Sequence, residues 1–213
     1  MKKLQPVLIF ISFMMACSAT KMVASWKEQG AAPKSYKKIA VVALTPTTAN
    51  RASVEEAIVA DLRAKGFKAN ATYNTFPMAG QISTIDMDRS VIEQKVRERV
   101  TSNGFDGLLT LVLLDKTKEE RYVEGSSISV GAPVYSYPYY GYYSYAYSTV
   151  YTSGYYTTST SYFLETNLYD VASEKLIYTA QTKTEDPASI EKEAANLGKI
   201  LVNDLVSKKV IAP

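Results

Sequence analysis

The chain has 213 residues, of which 46% are hydrophobic and 21% charged, with a formal net charge of +3, one cysteine and no histidine. So even a balance gives no electrostatic footprint for nucleic acid. The missing histidine removes the commonest general base, the base of the serine triad and the commonest metal ligand, and a lone cysteine excludes an intramolecular disulfide.

Residues 1–16 carry the three zones of an export signal: Lys2 and Lys3, an apolar run from Leu4 to Met15, and small Ala16 directly before Cys17. The apolar run is about half of the roughly 20 residues that a membrane-spanning helix needs, so it reads as a segment to be cut off. Cleavage removes both lysines and leaves the mature chain near +1. Met14-Met15-Ala16-Cys17 is similar to the lipobox of bacterial lipoproteins, with Met14 where the family favours Leu. That resemblance implies cleavage before Cys17, a diacylglycerol carrying palmitate-type chains on its thiol, and a membrane anchor. It would also remove the liability of a free thiol in an oxidising compartment. Ser18 after the cysteine, in place of Asp, implies the outer membrane under the enterobacterial sorting rule; the inner membrane stays open for other phyla. The alternative is an ordinary secretory signal that contains a cysteine.

Residues 17–35 are polar and small, punctuated by Gly30 and Pro33, and read as a lipidated flexible linker. Trp26 stands out there, either as a hydrophobic plug on the domain's flank or as an indole anchor at the membrane interface.

Residues 36–213 have the length and pattern of one small α/β domain. Ile39 to Leu44, a continuous β-branched run, predicts a strand buried on both faces. The first helix follows, with Ser53 and Glu56 at capping-box spacing, Glu55 and Glu56 at the positive end of its dipole, and Val54, Ala57, Ile58 and Leu62 on one face. Gly66 stops it. Phe67 to Tyr73 alternates as a second strand. The second helix spans about 88–102, capped by Asp86 or Asp88, with Ile92, Val96 and Val100 in register and Asn103-Gly104 at its end.

Phe105 to Leu114 is the most apolar run of the mature chain and predicts the central strand. The βαβαβ order implies parallel strands and right-handed crossovers, with the first strand between the second and third and the helices on opposite faces. Ser161–Asp170 and Lys175–Lys183 predict a hairpin with one buried face, turning at Val171 to Glu174. Asp186-Pro187 would cap and start a last helix with Ile190, Ala194, Leu197, Leu201 and Leu205 as its stripe. The fold class is therefore a mixed β-sheet, βαβαβ then ββα, with helices packed on it and a long insertion.

That insertion is Tyr-rich and of low complexity, at about residues 125–158. Val134 to Tyr156 holds eleven of the 17 tyrosines, interleaved with Ser, Gly and Pro and nearly free of aliphatics, so it reads as a displayed surface rather than an interior. Tyrosine joins a broad apolar ring to a hydroxyl at low entropic cost, which suits contact with an envelope protein or glycan. The candidate partner-binding residues are Tyr135, Tyr137, Tyr139, Tyr140, Tyr142, Tyr143, Tyr145 and Tyr147. Other readings are a loop with no selected contact, rings at the headgroup level of a membrane, or a β-ribbon, because Tyr135, Tyr137 and Tyr139, then Tyr143, Tyr145 and Tyr147, stand two apart.

Chemistry is sparse. Asp88 serves as a cap; Glu119-Glu120 beside Lys116, Lys118 and Arg121 is a solvated charge run; and the glycines from Gly125 to Gly131 do not open a helix after a strand, so no phosphate cradle is indicated. Asp115, Glu165 and Asp170 lie at or near predicted strand ends, and an enzyme using them is the rival class. No catalytic residue, metal or cofactor is expected.

The element order resembles the small α/β domain of the TolB amino-terminal type, which recurs in envelope lipoproteins and in the curli secretion channel CsgG. The combination of the lipobox, SWK at 25–27, KKIAVVAL at 37–44, the Tyr-rich insertion and ETNLYD at 165–170 resembles an uncharacterised family of bacterial lipoproteins. The resemblance implies a fold and an envelope location and brings no catalytic residue with it. A CsgG-like oligomeric pore would need an aliphatic lipid face that the tract lacks. The expectation is a non-enzymatic lipoprotein anchored through Cys17 that presents its Tyr-rich loop to an envelope partner.

Overall fold

The computed structural model describes residues 20–45, 47–76, 88–118, 138–143 and 160–212. Thr20–Lys27 forms a strand, β1, where the sequence suggested only linker. The segment is too polar to signal burial by itself; its partner is the last strand of the sheet, more than 150 residues away, which it meets antiparallel from Thr20↔Thr184 to Lys27↔Tyr178. A bulge between Met22 and Ala24 shifts the alternation. Met22 and Trp26, four apart, therefore pack against opposite faces of the sheet. Trp26 is the flank plug.

Ile39–Leu44 is β2, and all six residues are buried. Helix α1 spans Thr48–Ala64 and begins earlier than the Ser53/Glu56 spacing suggested. Its cap is Thr47, whose hydroxyl accepts from the Asn50 amide at 3.3 Å. Ala49, Arg51 and Ala52 favour helix, so nothing delays the start until Ser53. Glu55 consequently sits inside the helix and away from the positive end of the dipole. Gly66, at φ +90°, ends α1 as expected.

Only Ala69–Ala71 of the expected second strand is paired (β3), at the sheet edge, where Arg63 Nε covers the Ala69 carbonyl at 2.9 Å. Helix α2, Arg89–Ser102, is capped by Asp88 and buries Ile92, Val96 and Val100, in line with the pattern. Gly107–Lys118 is β4. Inside the Tyr-rich insertion residues 139–143 form a short helix, α3, started by Pro138, whose carbonyl accepts from the Tyr142 amide at 3.1 Å.

Thr160–Asp170 (β5) and Lys175–Glu185 (β6) form the antiparallel hairpin. The expectation of one buried face fails for β5, because Glu165–Asp170 are buried without interruption. The last helix, α4, spans Ile190–Ser207 with Ser189 as cap. Asp186 does not start it; at φ +42° it turns back, and its carboxylate accepts from the Thr160 amide at 2.7 Å. Ile190 drops out of the apolar stripe and is exposed, whereas Ala194, Leu197, Leu201 and Leu205 are buried.

The sheet order is β1-β6-β5-β4-β2-β3, with β2 parallel to both β3 and β4 and the other pairs antiparallel. This is a single mixed α/β domain, and β2 lies between β3 and β4 as the crossover argument required. One face carries an aliphatic core under α1 and α4, including Ile58, Leu62, Leu109, Leu168, Leu197 and Leu201. Gly198 lets those two helices approach, since a Cβ there would lie 2.6 Å from an Asp61 carboxylate oxygen and 3.2 Å from the Ala57 carbonyl oxygen. The other face carries α2 and α3 over Phe76, Phe105, Val112 and Tyr169.

Candidate functional site

The sequence pointed to the tyrosine tract as a displayed surface, and the part of it that is described is interior. Tyr139, Tyr142 and Tyr143 are buried at 2%, 2% and 0% exposure, within the same core as Val96, Val100 and Leu108. In α3 they stand at i, i+3 and i+4, one face of a helix, and that face lies on the sheet. The Tyr143 ring is 6.2 Å from Phe76 and the Tyr142 ring 5.9 Å from Tyr169, centroid to centroid. These three rings cannot be the contact offered to a partner. Tyr140 is half-buried: it meets Tyr139 edge-on at 5.5 Å, and the Arg97 guanidinium of α2 lies over its ring at 4.4 Å. Tyr135, Tyr137, Tyr145, Tyr147 and the lipidation candidate Cys17 lie outside the described residues, as do Glu119, Glu120 and the glycines at 125–131.

Burying a tyrosine favours a partner for its hydroxyl, and Tyr142 has one. Tyr142 donates to the buried Glu165 Oε1 at 2.5 Å, and the Asn167 side-chain amide donates to the same oxygen at 2.9 Å. Glu165 is thus the receptor for α3 on the sheet, a role that sequence reasoning missed while weighing it as a strand-end acid. The signal was present in the Tyr139, Tyr142 and Tyr143 spacing after Pro138, which is helical; the two-residue alternation around it suggested a ribbon. Beneath, burial and then the charge of Glu165 push the Tyr169 phenol up.

The three carboxylates considered for acid–base work do not converge. Along β4, Gly107 pairs with Asp170, Val112 with Glu165 and Asp115 with Phe163, which spreads them over most of the strand. Asp115 is exposed and accepts from the Lys116 amide and the Thr117 hydroxyl. Asp170 pairs with Lys34 and closes the β5–β6 turn by accepting from the Ser173 hydroxyl at 2.6 Å. Burial works to raise the Asp170 carboxyl, but the hydrogen bonds from Lys34 and Ser173 more than offset it and hold the group below the ordinary carboxylate range.

A second buried polar cluster lies near the carboxyl ends of β2 and β3. Arg51 and Glu55, both at 0% exposure, pair at 2.6 Å. Glu55 also accepts from the Ala43 amide at 2.9 Å and the Thr72 amide at 2.5 Å, while Arg51 reaches the Thr72 carbonyl and hydroxyl at 3.2 Å. Burial raises the Glu55 carboxyl against the pull of Arg51. Since its hydrogen bonds from Arg51, Ala43 and Thr72 all come from donors, the ionised form is the one the geometry fits. The cluster ties α1 to the ends of two strands. Among the described residues no group of three or more Cys, Asp or Glu is placed to hold a metal ion, and no helix is long and apolar enough to cross a membrane.

No family model and no curated protein matches the chain. Among solved structures it is similar to the PelC dodecamer from Paraburkholderia phytofirmans, at 14% identity and a TM-score of 0.46 over 91% of this chain and 99% of that one. It is also similar to the lipoprotein GNA1162 from Neisseria meningitidis, at 12% identity and a TM-score of 0.38 over 80% of this chain and 98% of that one. These matches do not single out the TolB amino-terminal or CsgG type.

Proposed function

We propose that the protein is a bacterial envelope lipoprotein, anchored in a membrane through Cys17, that works without catalysis as a binding or accessory module. The observation that carries the reading is the lipobox-like Met14 to Cys17 after an export signal, together with a strand, β1, that starts three residues on at Thr20. The carboxylates support the non-enzymatic part: Asp115, Glu165 and Asp170 are engaged in separate structural bonds. In this reading α3 pins the middle of the Tyr-rich insertion to the sheet. The partner contact then falls to the rest of the tract, with Tyr135, Tyr137, Tyr145 and Tyr147, facing an envelope protein or glycan. The outer membrane is the proposed location, from Ser18 after the cysteine.

Mass spectrometry of the mature amino terminus tests the anchor. The expected product begins at Cys17 with a diacylglyceryl modification and moves to the soluble fraction when Cys17→Ala is introduced; an unmodified thiol on the exported wild type would refute it. For the contact, photo-crosslinkers replacing Tyr145 or Tyr147 in cells should give a discrete envelope adduct, and crosslinking no greater than from an exposed α2 position such as Val91 would remove the role of the tract.

A further inference from the structure

The linker that would have let the domain swing freely is largely absent, and its absence fixes which end of the domain meets the bilayer. Between Cys17 and Thr20 only Ser18 and Ala19 intervene. Three residues span at most about 10 Å even when extended. Thr20 is already locked in place: it is 3% exposed, its hydroxyl lies 2.8 Å from that of Thr184 on β6, and it donates to Glu193 on α4 at 2.8 Å. An 18-residue flexible segment would have given a reach several times longer. Resting on the proposed lipid anchor at Cys17, we infer that the domain docks edge-down on the lipid surface, with the end that holds Thr20, the start of β5, the end of β6 and the start of α4 against the headgroups.

Helix α4 shows the direction. It runs beside β1, its first turn bonded to Thr20 through Glu193 and its last residues to the far end of β1, where Lys208 Nζ donates to the Ser25 carbonyl at 2.9 Å and Lys27 Nζ to the Lys209 carbonyl at 2.7 Å. Its start therefore faces the anchor and its end points away, with Ile190 and Val206 about 24 Å apart along it at 1.5 Å per residue.

Apolar exposure agrees with this polarity. Of the four exposed large hydrophobics among the described residues, Ile190 lies one turn before Glu193, and Val23, the bulged residue of β1, lies three after Thr20. Both flank the anchor point, and Ile190 left the core stripe that its spacing predicted. The nearby charges are mixed, Lys21 and Lys183 both facing Glu185, so the contact is with the headgroup and upper acyl region of a bilayer and needs no excess of anionic lipid.

The test uses α4 as a ruler. Ile190 and Val206 are equally exposed, at 38% and 37%, near opposite ends of one helix. Full-length lipidated protein carrying Ile190→Cys, Val23→Cys or Val206→Cys is reconstituted into phosphatidylethanolamine–phosphatidylglycerol vesicles, labelled with a nitroxide on the one free thiol, and floated. Collision with oxygen, which partitions into lipid, is compared with collision with a chelated nickel salt that stays in water. The expected ratio of oxygen to nickel collisions is several-fold higher at 190 than at 206, with 23 between them. Protein that floats but gives equal ratios at 190 and 206 overturns the orientation and leaves the anchor standing. Protein that does not float overturns the anchor and the orientation with it.

Discussion

The two faces of the sheet are closed by different means. On the aliphatic face α1 and α4 present Val, Ile and Leu stripes at regular helical spacing, with polar ties at their margins: the buried Arg51–Glu55 pair of α1, and Asp204 of α4, which accepts from the Tyr178 hydroxyl at 2.7 Å. On the other face α2 is helped by a five-residue helix from a segment of Tyr, Ser, Gly and Pro, with three buried rings, one of which, Tyr142, has its hydroxyl matched from the sheet by Glu165. An isolated helix so short would not persist in water, so α3 owes its existence to the surface it covers. Long amphipathic helices close a core mainly through their apolar stripes, whereas a short aromatic one leans on a specific polar receptor.

The largest expected effect tests whether both faces are core. Leu201→Ala on the aliphatic face should cost about 2–5 kcal/mol, and Tyr143→Ala on the aromatic face about 3–5 kcal/mol, because each leaves a cavity among fully buried neighbours. Urea denaturation of the two variants checks this. A Tyr143→Ala cost below about 1 kcal/mol would make α3 a loosely held cover and not a structural equal of α4.

A smaller effect isolates the polar receptor. Tyr142→Phe keeps the ring and deletes the hydroxyl that donates to Glu165, at an expected cost of about 1–3 kcal/mol for a charge-assisted bond. Glu165→Leu should cost more than Tyr142→Phe, since it strands both the Tyr142 hydroxyl and the Asn167 amide. In the double variant Tyr142→Phe/Glu165→Leu the penalties should fall short of additive, and full additivity would mean the two side chains do not act together.

The long helices and the buried strand β2 were legible from sequence because their signals are local. The β-branched run at 39–44 and the four-residue steps of α2 and α4 state their period within a dozen residues, and Gly66 and Gly104 mark the stops. β1 was not legible, because what makes Thr20–Lys27 a strand is the exposed side of β6, and its own bulge breaks the alternation that would have announced it. α3 was illegible for a different reason. Composition outweighed spacing: a tract of Tyr, Ser and Gly signals display, and a five-residue period is too short to compete. Glu165 followed α3 into obscurity, since a strand-end carboxylate acquires its meaning only when the hydroxyl that meets it is known.

The smallest effects lie at the rim, where an ion pair near the β5–β6 turn borders each face. Lys34–Asp170 borders the aliphatic core beside Tyr36, and Arg97–Glu174 borders the aromatic one, bonded at 2.7 Å. They differ in setting: Asp170 is 7% exposed, whereas Arg97 and Glu174 side chains are half and nearly one-third exposed. Arg97→Ala should cost about 0.5–1 kcal/mol, most of it from the cation–π contact with Tyr140, because a solvated pair contributes little. Lys34 is itself 41% exposed, so Lys34→Ala should also stay under about 1 kcal/mol at neutral pH. The two separate on acidification. The Asp170 carboxyl is held below the ordinary range, so its contribution to stability is complete above the unfolded carboxylate value near about 4 and is lost as pH falls through the lower folded value. Urea midpoints followed downward from neutral pH should therefore fall more steeply in the wild type than in Lys34→Ala, with the two curves converging in acid. Parallel curves would mean that the Ser173 hydroxyl and amide hold Asp170 down unaided, and that Lys34 adds nothing to the aliphatic rim.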